Sequence, residues 1–307
     1  MILVTGSTGT NGIEIVRLLS RVGVPCRALV RNPQKAAIFS DSPGVEVVQG
    51  DLARPETLAP ALAGVDKALL CSSIGPDLVK LQGNFVRAAK VAGVPYIVKF
   101  SGMGADIHSE WRFLRWHGEA EKELEGSGLT FTHLQPNQFM QVYLRFQPTI
   151  TSEGKFYAAS RDSAVSPVDV RDIAAVAVAV LTGSGHEGKT YVITGPEAFT
   201  YADAADKLSS AIGRKVTYVD TPLEAATQAL LDGGAPAWLA EGQAEQFRYR
   251  WQGKQSHVTS TIADIARKRP ATFEDFAREY APYFRGEKSS QTMGRISPRR
   301  VDWKVDK

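Results

Sequence analysis

Three glycines near the start of the chain, Gly6, Gly9 and Gly12, stand in the spacing G-x-x-G-x-x-G. The apolar run Ile2-Leu3-Val4 precedes them and IEIVRLLSRVG follows. A short apolar run closed by a glycine turn suits a buried strand. Ile13, Val16 and Leu19, flanked by Ile15 and Leu18, recur at helical spacing. Strand, glycine turn and helix in that order form a cradle for the pyrophosphate of a dinucleotide. Gly6 permits the sharp turn, Gly9 the close approach of backbone to phosphate, and Gly12 the tight packing of helix on strand. Thr8, Thr10 and Asn11 complete the turn, where free N–H groups at the helix start face the anion.

Arg31 sharpens the expected ligand. It ends the second apolar run about twenty residues beyond the glycines, where an acidic residue would bind the 2′-hydroxyl of NAD. Arg31 and Asn32 occupy that place with no carboxylate competing. A guanidinium can hold a 2′-phosphate by two parallel hydrogen bonds, so NADP(H) is expected over NAD(H), with Lys35 as a second cation. Ser72 and Ser73 end the fourth strand beside the expected nicotinamide-ribose path. Further along, His117 and Glu121 stand one helical turn apart on one face, and a histidine paired with a carboxylate can move a proton near neutral pH.

The elements that must position these residues alternate steadily. Strands are expected over Cys26–Arg31, Val45–Val48, Ala68–Cys71, Tyr96–Phe100 and Leu129–Leu134, with helices over Gln34–Phe39, Pro55–Ala63, Leu78–Ala92 and Trp111–Glu125. Such alternation predicts an α/β fold, a Rossmann-type doubly wound parallel sheet with a ligand across its carboxyl ends. Ser101, Pro136 and Asn137 fall at those ends and are expected to contact the cofactor. After Pro136 the pattern loosens. Short strands are expected over 154–159 and 164–167, a helix over 172–181, a returning sheet strand over 189–194, and a helix from an N-cap at Thr200 to Ile212. A strand at 216–219 and two or three helices between Leu223 and Tyr283 follow. The expected division is therefore 1–150 for nucleotide binding, with 164–195 returning to the sheet, a smaller and mostly helical lobe over 196–285, and a polar, flexible tail over 286–307.

Composition narrows the class. With 307 residues and 43% hydrophobic the chain can build a large core, and a net charge of +3 makes no case for nucleic acid. Seven basic and three acidic residues between Arg285 and Lys307 give a basic end, read as solvated. Two cysteines, Cys26 and Cys71, argue against a disulfide framework. No metal site is expected. The first strand begins at residue 2, which leaves no room for a leader, and no apolar run is long enough for a membrane span; a cytoplasmic monomer or homodimer is expected.

The TGxxGxxG spacing resembles the fingerprint of extended and atypical short-chain dehydrogenases/reductases. The tyrosine and lysine common in carbonyl-reducing members are missing, since none of the nine tyrosines has a lysine four positions later. In their expected place stands His117-Gly-Glu-Ala-Glu121. The run of H-x-x-x-E, SGLTFTHL and P-N-Q-F-M, with Pro167-Val-Asp-Val-Arg-Asp-Ile173 and VRNP, resembles the NmrA-like branch over roughly Met1 to Pro282. Within it the similarity is to NADPH-dependent quinone and triphenylmethane-dye reductases. A departure is Gln135, where the family often has Arg. The resemblance implies direct hydride transfer to an electron-poor, quinone-like or conjugated acceptor without a Tyr–Lys pair. It places Asp51 against the adenine and sets Phe139, Met140 and Tyr143 as a wall for a flat substrate, with Trp111, Phe113, Trp116, Trp238 and Phe247 as further candidates. An alternative is a non-catalytic NADP(H)-sensing regulator that binds a protein partner. An isoflavone-reductase-like activity is disfavoured by His117, where that group typically carries lysine.

Overall fold

The computed structural model describes residues 1–288; most of the expected tail, from residue 289 on, lies outside the described residues. The chain opens with β1 (Ile2–Val4), α1 (Thr10–Arg21), β2 (Cys26–Val30), a 3-10 helix over Pro33–Phe39 and β3 (Val45–Gln49). A 3-10 turn at Pro55–Thr57 leads to α2 (Ala59–Leu62), β4 (Lys67–Leu70), α3 (Leu78–Val91), β5 (Tyr96–Phe100), α4 (Arg112–Glu125) and β6 (Thr130–Pro136). A 3-10 helix over Met140–Phe146 precedes α5 (Gln147–Glu153), β7 (Lys155–Ala158), α6 (Val170–Thr182), β8 (Thr190–Ile193) and α7 (Tyr201–Ile212). Then come β9 (Thr217–Asp220), α8 (Leu223–Asp232), α9 (Ala237–Trp251), α10 (Thr261–Ala266), α11 (Phe273–Glu279) and α12 (Ala281–Phe284).

Two compact units result. The first comprises Met1–Pro136, Val170–Ile193 and Ser260–Arg269. Its sheet has the order β3-β2-β1-β4-β5-β6-β8, parallel throughout. This is the expected doubly wound Rossmann-like arrangement, in which the order reverses between β1 and β4 and opens a crevice at their carboxyl ends. The strands read as continuous apolar runs because helices cover both faces. Leu3, Leu70 and Ile97 pack with Leu62, Phe85 and Ala89 in one buried cluster. The returning strand expected over 189–194 is β8, paired with β6.

Among the described residues, the second unit comprises Asn137–Asp169, Thr194–Thr259 and residues 270–288. The boundary therefore falls at Pro136 rather than 150. Met140, Tyr143, Leu144 and Ile150 explain this, since they pack with Phe156, Phe199, Phe273 and Phe276 in this unit's own core. Conversely, α10 belongs to the first unit. There Thr261 Oγ1 donates to the Val192 carbonyl at 2.6 Å, and Lys268 pairs with the buried Asp172.

The lobe is mostly helical, as expected, but β7 and β9 add a parallel pair in the register Lys155↔Thr217. The strand expected over 164–167 does not form. Pro167 has no N–H to give to a ladder and Ser166 N–H is taken by the Gln255 carbonyl, so only isolated bridges at Val165 and Val168 remain. Thr200 caps α7 in a capping box with Asp203. Between Leu223 and Phe284 there are five helices rather than two or three. Gly233-Gly234, Gly253 and Pro270 cut the apolar pattern into short pieces.

Candidate functional site

The glycine turn lies at the reversal point of the sheet. Thr5 Oγ1 donates to the Cys71 carbonyl at 2.7 Å and accepts from Cys71 N–H at 2.8 Å, tying together the ends of β1 and β4. Gly6 adopts φ +59°, and a Cβ there would stand 2.7 Å from the Cys71 carbonyl oxygen. A Cβ on Gly12 would stand 2.2 Å from the Gly6 carbonyl oxygen and 2.7 Å from Ser7 Cα. Helix α1 thus approaches the turn at a distance only glycine allows. Gly9 is its N-cap and supplies no side-chain acceptor, so the first-turn N–H groups of Thr10, Asn11 and Gly12 are left to meet an anion. Asn11 is buried and its Oδ1 has no hydrogen-bond partner, an acceptor suited to the hydroxyl or amide donors of a dinucleotide. The sterically reserved turn and this orphaned oxygen fit the expected cofactor. Thr8 is half-buried and Thr10 exposed.

Arg31 and Lys35 are both exposed beside the end of β2. Neither enters an ion pair among the described residues, whereas Arg27 pairs with Glu46 at 3.0 Å. Asn32 Oδ1 accepts Gln34 N–H at 2.9 Å and caps the 3-10 helix that carries Lys35. Asp51 already closes its own turn. Its Oδ1 accepts Ala53 N–H at 3.0 Å and Arg54 lies 3.8 Å from the other oxygen. Ser72 Oγ accepts from Gln82 Nε2 at 3.0 Å, and Ser73 is exposed.

At the end of β5 the structure assembles a group that the sequence reading missed in part. Lys99 is fully buried in the YIVKF strand, in register with Leu70 of β4 and His133 of β6. Its Nζ donates to Ser101 Oγ at 3.0 Å and lies 3.4 Å from His117 Nδ1. Desolvation pulls the ammonium down to about 8, against the pull of Glu121 and the Cys71 sulfur. His117, on α4, is held well below its usual value by burial and by the Lys99 charge. Gly118 allows this placement, since a Cβ there would stand 2.4 Å from the Asp106 carbonyl carbon in the loop that follows β5.

The expected His117–Glu121 pair is corrected. The two share α4, but the Glu121 carboxylate accepts both bonds from Gln135 Nε2, at 3.1 and 3.2 Å, while His117 turns to Lys99. Lys99 left one signal in the sequence, a single cation inside an otherwise apolar strand. Burial pushes the thiol of Cys71 up to about 12 and that of Cys26 to about 11, so neither is a thiolate at neutral pH.

In the second unit, Asn137 is a clamp. Its Nδ2 donates to the Ser166 Oγ and Gln255 carbonyl at 2.8 Å each, and its Oδ1 accepts Gln138 N–H at 2.8 Å. The side chain expected to contact the cofactor is thereby committed inside this unit. Met140 and Tyr143, expected on a substrate wall, are fully buried in the core cluster, with Tyr143 against Phe273 at 4.7 Å between ring centroids. They form packing rather than a wall. Phe139 is half-buried.

Trp111 and Phe113 are buried, while Trp116, Trp238 and Phe247 are half-buried. The sequence reading also passed over Arg250. This fully buried guanidinium donates to Gln255 Oε1 at 3.1 Å, Ser160 Oγ at 3.2 Å and the Gln138 side-chain oxygen. It locks the chain that leaves β6 to α9. No metal-binding group of His, Cys, Asp or Glu occurs among the described residues, and none of their helices is long and apolar enough to cross a membrane.

Known proteins share this fold and much of this sequence. An NAD(P)H azoreductase of Xenophilus azovorans is 40% identical over 92% of this chain and 99% of its own length. A solved NADPH-dependent quinone oxidoreductase of Escherichia coli, complexed with NADPH, superposes with a TM-score of 0.83 at 31% identity, covering 90% of this chain and 98% of that one. A Citrobacter triphenylmethane reductase complexed with NADP(H) gives a TM-score of 0.82 at 27% identity, over 92% of this chain and 100% of its own. Residues 1–277 match the model of the NmrA-like family, and the chain belongs to that family.

Proposed function

We propose that the chain is an NADPH-dependent oxidoreductase that passes hydride to a quinone-like or otherwise conjugated electrophilic small molecule without a Tyr–Lys pair. The observation that carries this reading is the turn at the end of β1, where Gly6 and Gly12 leave no room for a Cβ while α1 presents uncapped N–H groups. The cofactor, when bound, supplies the hydride; the protein supplies orientation, exclusion of water and proton supply.

Thr8, Thr10, Asn11 and the backbone of the three glycines hold the pyrophosphate. Arg31 and Lys35 bind the 2′-phosphate and set the preference for NADP(H) over NAD(H). Asp51 stands by the adenine, and Ser72, Ser73, Ser101 and Pro136 follow the ribose and nicotinamide. Phe139 gives a flat acceptor an aromatic surface. His117 is the hydrogen-bond donor to the oxygen or nitrogen that gains charge on reduction. The relatives named for azo, quinone and triphenylmethane reduction support an acceptor of this electron-poor, conjugated class.

The test is oxidation of NADPH by purified protein with a panel of quinones, an azo dye and a triphenylmethane dye, NADH being run in parallel. Acceptor-dependent oxidation that prefers NADPH is the expected result. Tight NADPH binding without turnover on any acceptor would replace this reading with that of a nicotinamide-sensing regulator.

A further inference from the structure

We propose that Lys99 and His117 form a proton relay in which the buried lysine, acting through the imidazole, replaces the proton taken up by the reduced acceptor. The inference rests on the reductase reading above.

The geometry fixes the direction. An ammonium has only donors, so the contact of Lys99 Nζ with His117 Nδ1 requires Nδ1 to be the lone-pair acceptor. The neutral ring then carries its proton on Nε2. Ser101 Oγ takes a second Lys99 N–H and holds the amine in place.

The charged and titratable groups that face Lys99 come from each neighbouring strand and from α4. They are Cys71 after β4, His133 on β6, and His117 and Glu121 on α4. Glu121 favours the ammonium. Cys71 is a thiol, and His133, itself lowered by burial, makes its own contact with Glu125 at 3.3 Å. At neutral pH Lys99 is the protonated member and His117 the neutral one. The imidazole alone would be a poor acid, whereas a lysine near 8 matches the acidity that general acid catalysis favours at neutral pH.

Hydride arriving at a quinone-like acceptor adds two electrons and one proton and leaves an oxyanion. The Nε2–H bond of His117 breaks towards that oxygen as Nδ1 takes a proton from Lys99 Nζ. The acceptor is then neutral and fully reduced, the ring is neutral with its proton on Nδ1, and Lys99 is an uncharged amine. A proton from water at Nε2, with return of the Nδ1 proton to Lys99, resets the pair.

Two measurements on the full chain test this. Ring-nitrogen NMR of cofactor-free, nitrogen-labelled protein, with His117 assigned by its loss in His117→Gln, is expected to show the Nε2–H tautomer. A pH-dependent change centred near 8 reports the lysine, and it disappears in Lys99→Met. The Nδ1–H tautomer, or no change through that range, would overturn the relay.

Kinetically, kcat with a neutral quinone is expected to fall as pH rises through about 8. Lys99→Met should lose about a hundredfold in kcat with little change in the KM for NADPH. Lys99→Arg keeps the charge and the donor to Nδ1 but cannot release a proton. It should retain the tautomer and still be about as slow as Lys99→Met. A Lys99→Arg enzyme turning over at the wild-type rate would reduce Lys99 to a support for His117 and refute the relay, with the reductase reading intact. Wild-type protein inactive on every acceptor would instead remove the reductase reading and the relay with it.

Discussion

Gly9 and Gly12 sit three residues apart in one turn, and the structure assigns them different costs. A methyl on Gly12 would stand 2.2 Å from the Gly6 carbonyl oxygen, where ordinary contact begins at 3.4 Å. The atoms it meets are all backbone, so no rotamer relieves the clash and the turn must retreat by about 1 Å. Overpacking of that kind costs about 1–3 kcal/mol. A methyl on Gly9 meets only the same oxygen, at 3.1 Å, which a shift of a few tenths of an ångström accommodates. It would, however, stand where the phosphate must approach.

Gly12→Ala is therefore expected to lose both stability and NADPH binding, and Gly9→Ala binding alone. The binding loss follows from the N–H groups displaced from the anion. Hydrogen bonds to a charged group contribute about 1.5–3 kcal/mol each, so losing even one weakens NADPH roughly tenfold or more. Urea denaturation gives the stability, and enhancement of nicotinamide fluorescence gives the affinity. A Gly9→Ala protein that binds NADPH as tightly as wild type would refute the cradle, whatever happens to Gly12→Ala.

Three further outcomes are expected. Arg31→Ala removes an exposed guanidinium with no ion-pair partner among the described residues, so it should weaken NADPH by about 1.5–3 kcal/mol while leaving NADH nearly unchanged; equal losses in a binding titration would remove Arg31 from the cofactor site. Thr200→Ala breaks the capping box with Asp203 and should cost about 1 kcal/mol in a denaturant titration. The Thr200 bonds hold the Asp203 carboxyl below its usual value, so its stabilisation is present above the unfolded pKa and lost as pH falls through the folded one; the difference between the two proteins should shrink in acid. For Lys99 the folded pKa of about 8 lies below the usual 10.5, so the unfolded chain binds more protons between these values and wild-type stability should rise across that window. Lys99→Met should lack this rise, and parallel stability profiles for the two proteins from pH 8 to 10 would show that the lysine is not the buried cation described.

Much of the first unit was legible because local and global signals coincide there. Its strands are apolar runs, its helices are amphipathic, and glycines punctuate both, so β1 to β6 fall within a few residues of their expected bounds. The domain boundary was not legible. Met140, Tyr143 and Ile150 are apolar at helical spacing whichever unit they pack against, and the phenylalanines that claim them, Phe273 and Phe276, lie more than a hundred residues away. Met140 and Tyr143 were read as substrate wall for the same reason, since spacing alone does not distinguish a buried face from one that meets a ligand. Asn137 was placed correctly at the end of β6, but its clamp depends on Gln255, far along the chain.

The polar group beside β5 shows a different limit. His117 and Glu121 share one helix, and their spacing suggested a pair, yet each takes its partner from another strand: Lys99 from β5 and Gln135 from β6. Helical spacing places two side chains on one face without deciding what fills the space before them. Gln135 offers Glu121 a neutral amide rather than a cation. Among the positive charges that Glu121 steadies is the one on Lys99. Burying an ammonium in a central strand costs several kcal/mol unless surrounding groups offset it. Here Ser101, His117 and Glu121 offset it only in part, and burial still draws the lysine down to about 8. A cation kept for packing would gain from a fully neutralising partner. One left near the pH of its surroundings can give up its proton, and the histidine beside it is a side chain in contact with its Nζ that can accept and pass on that proton.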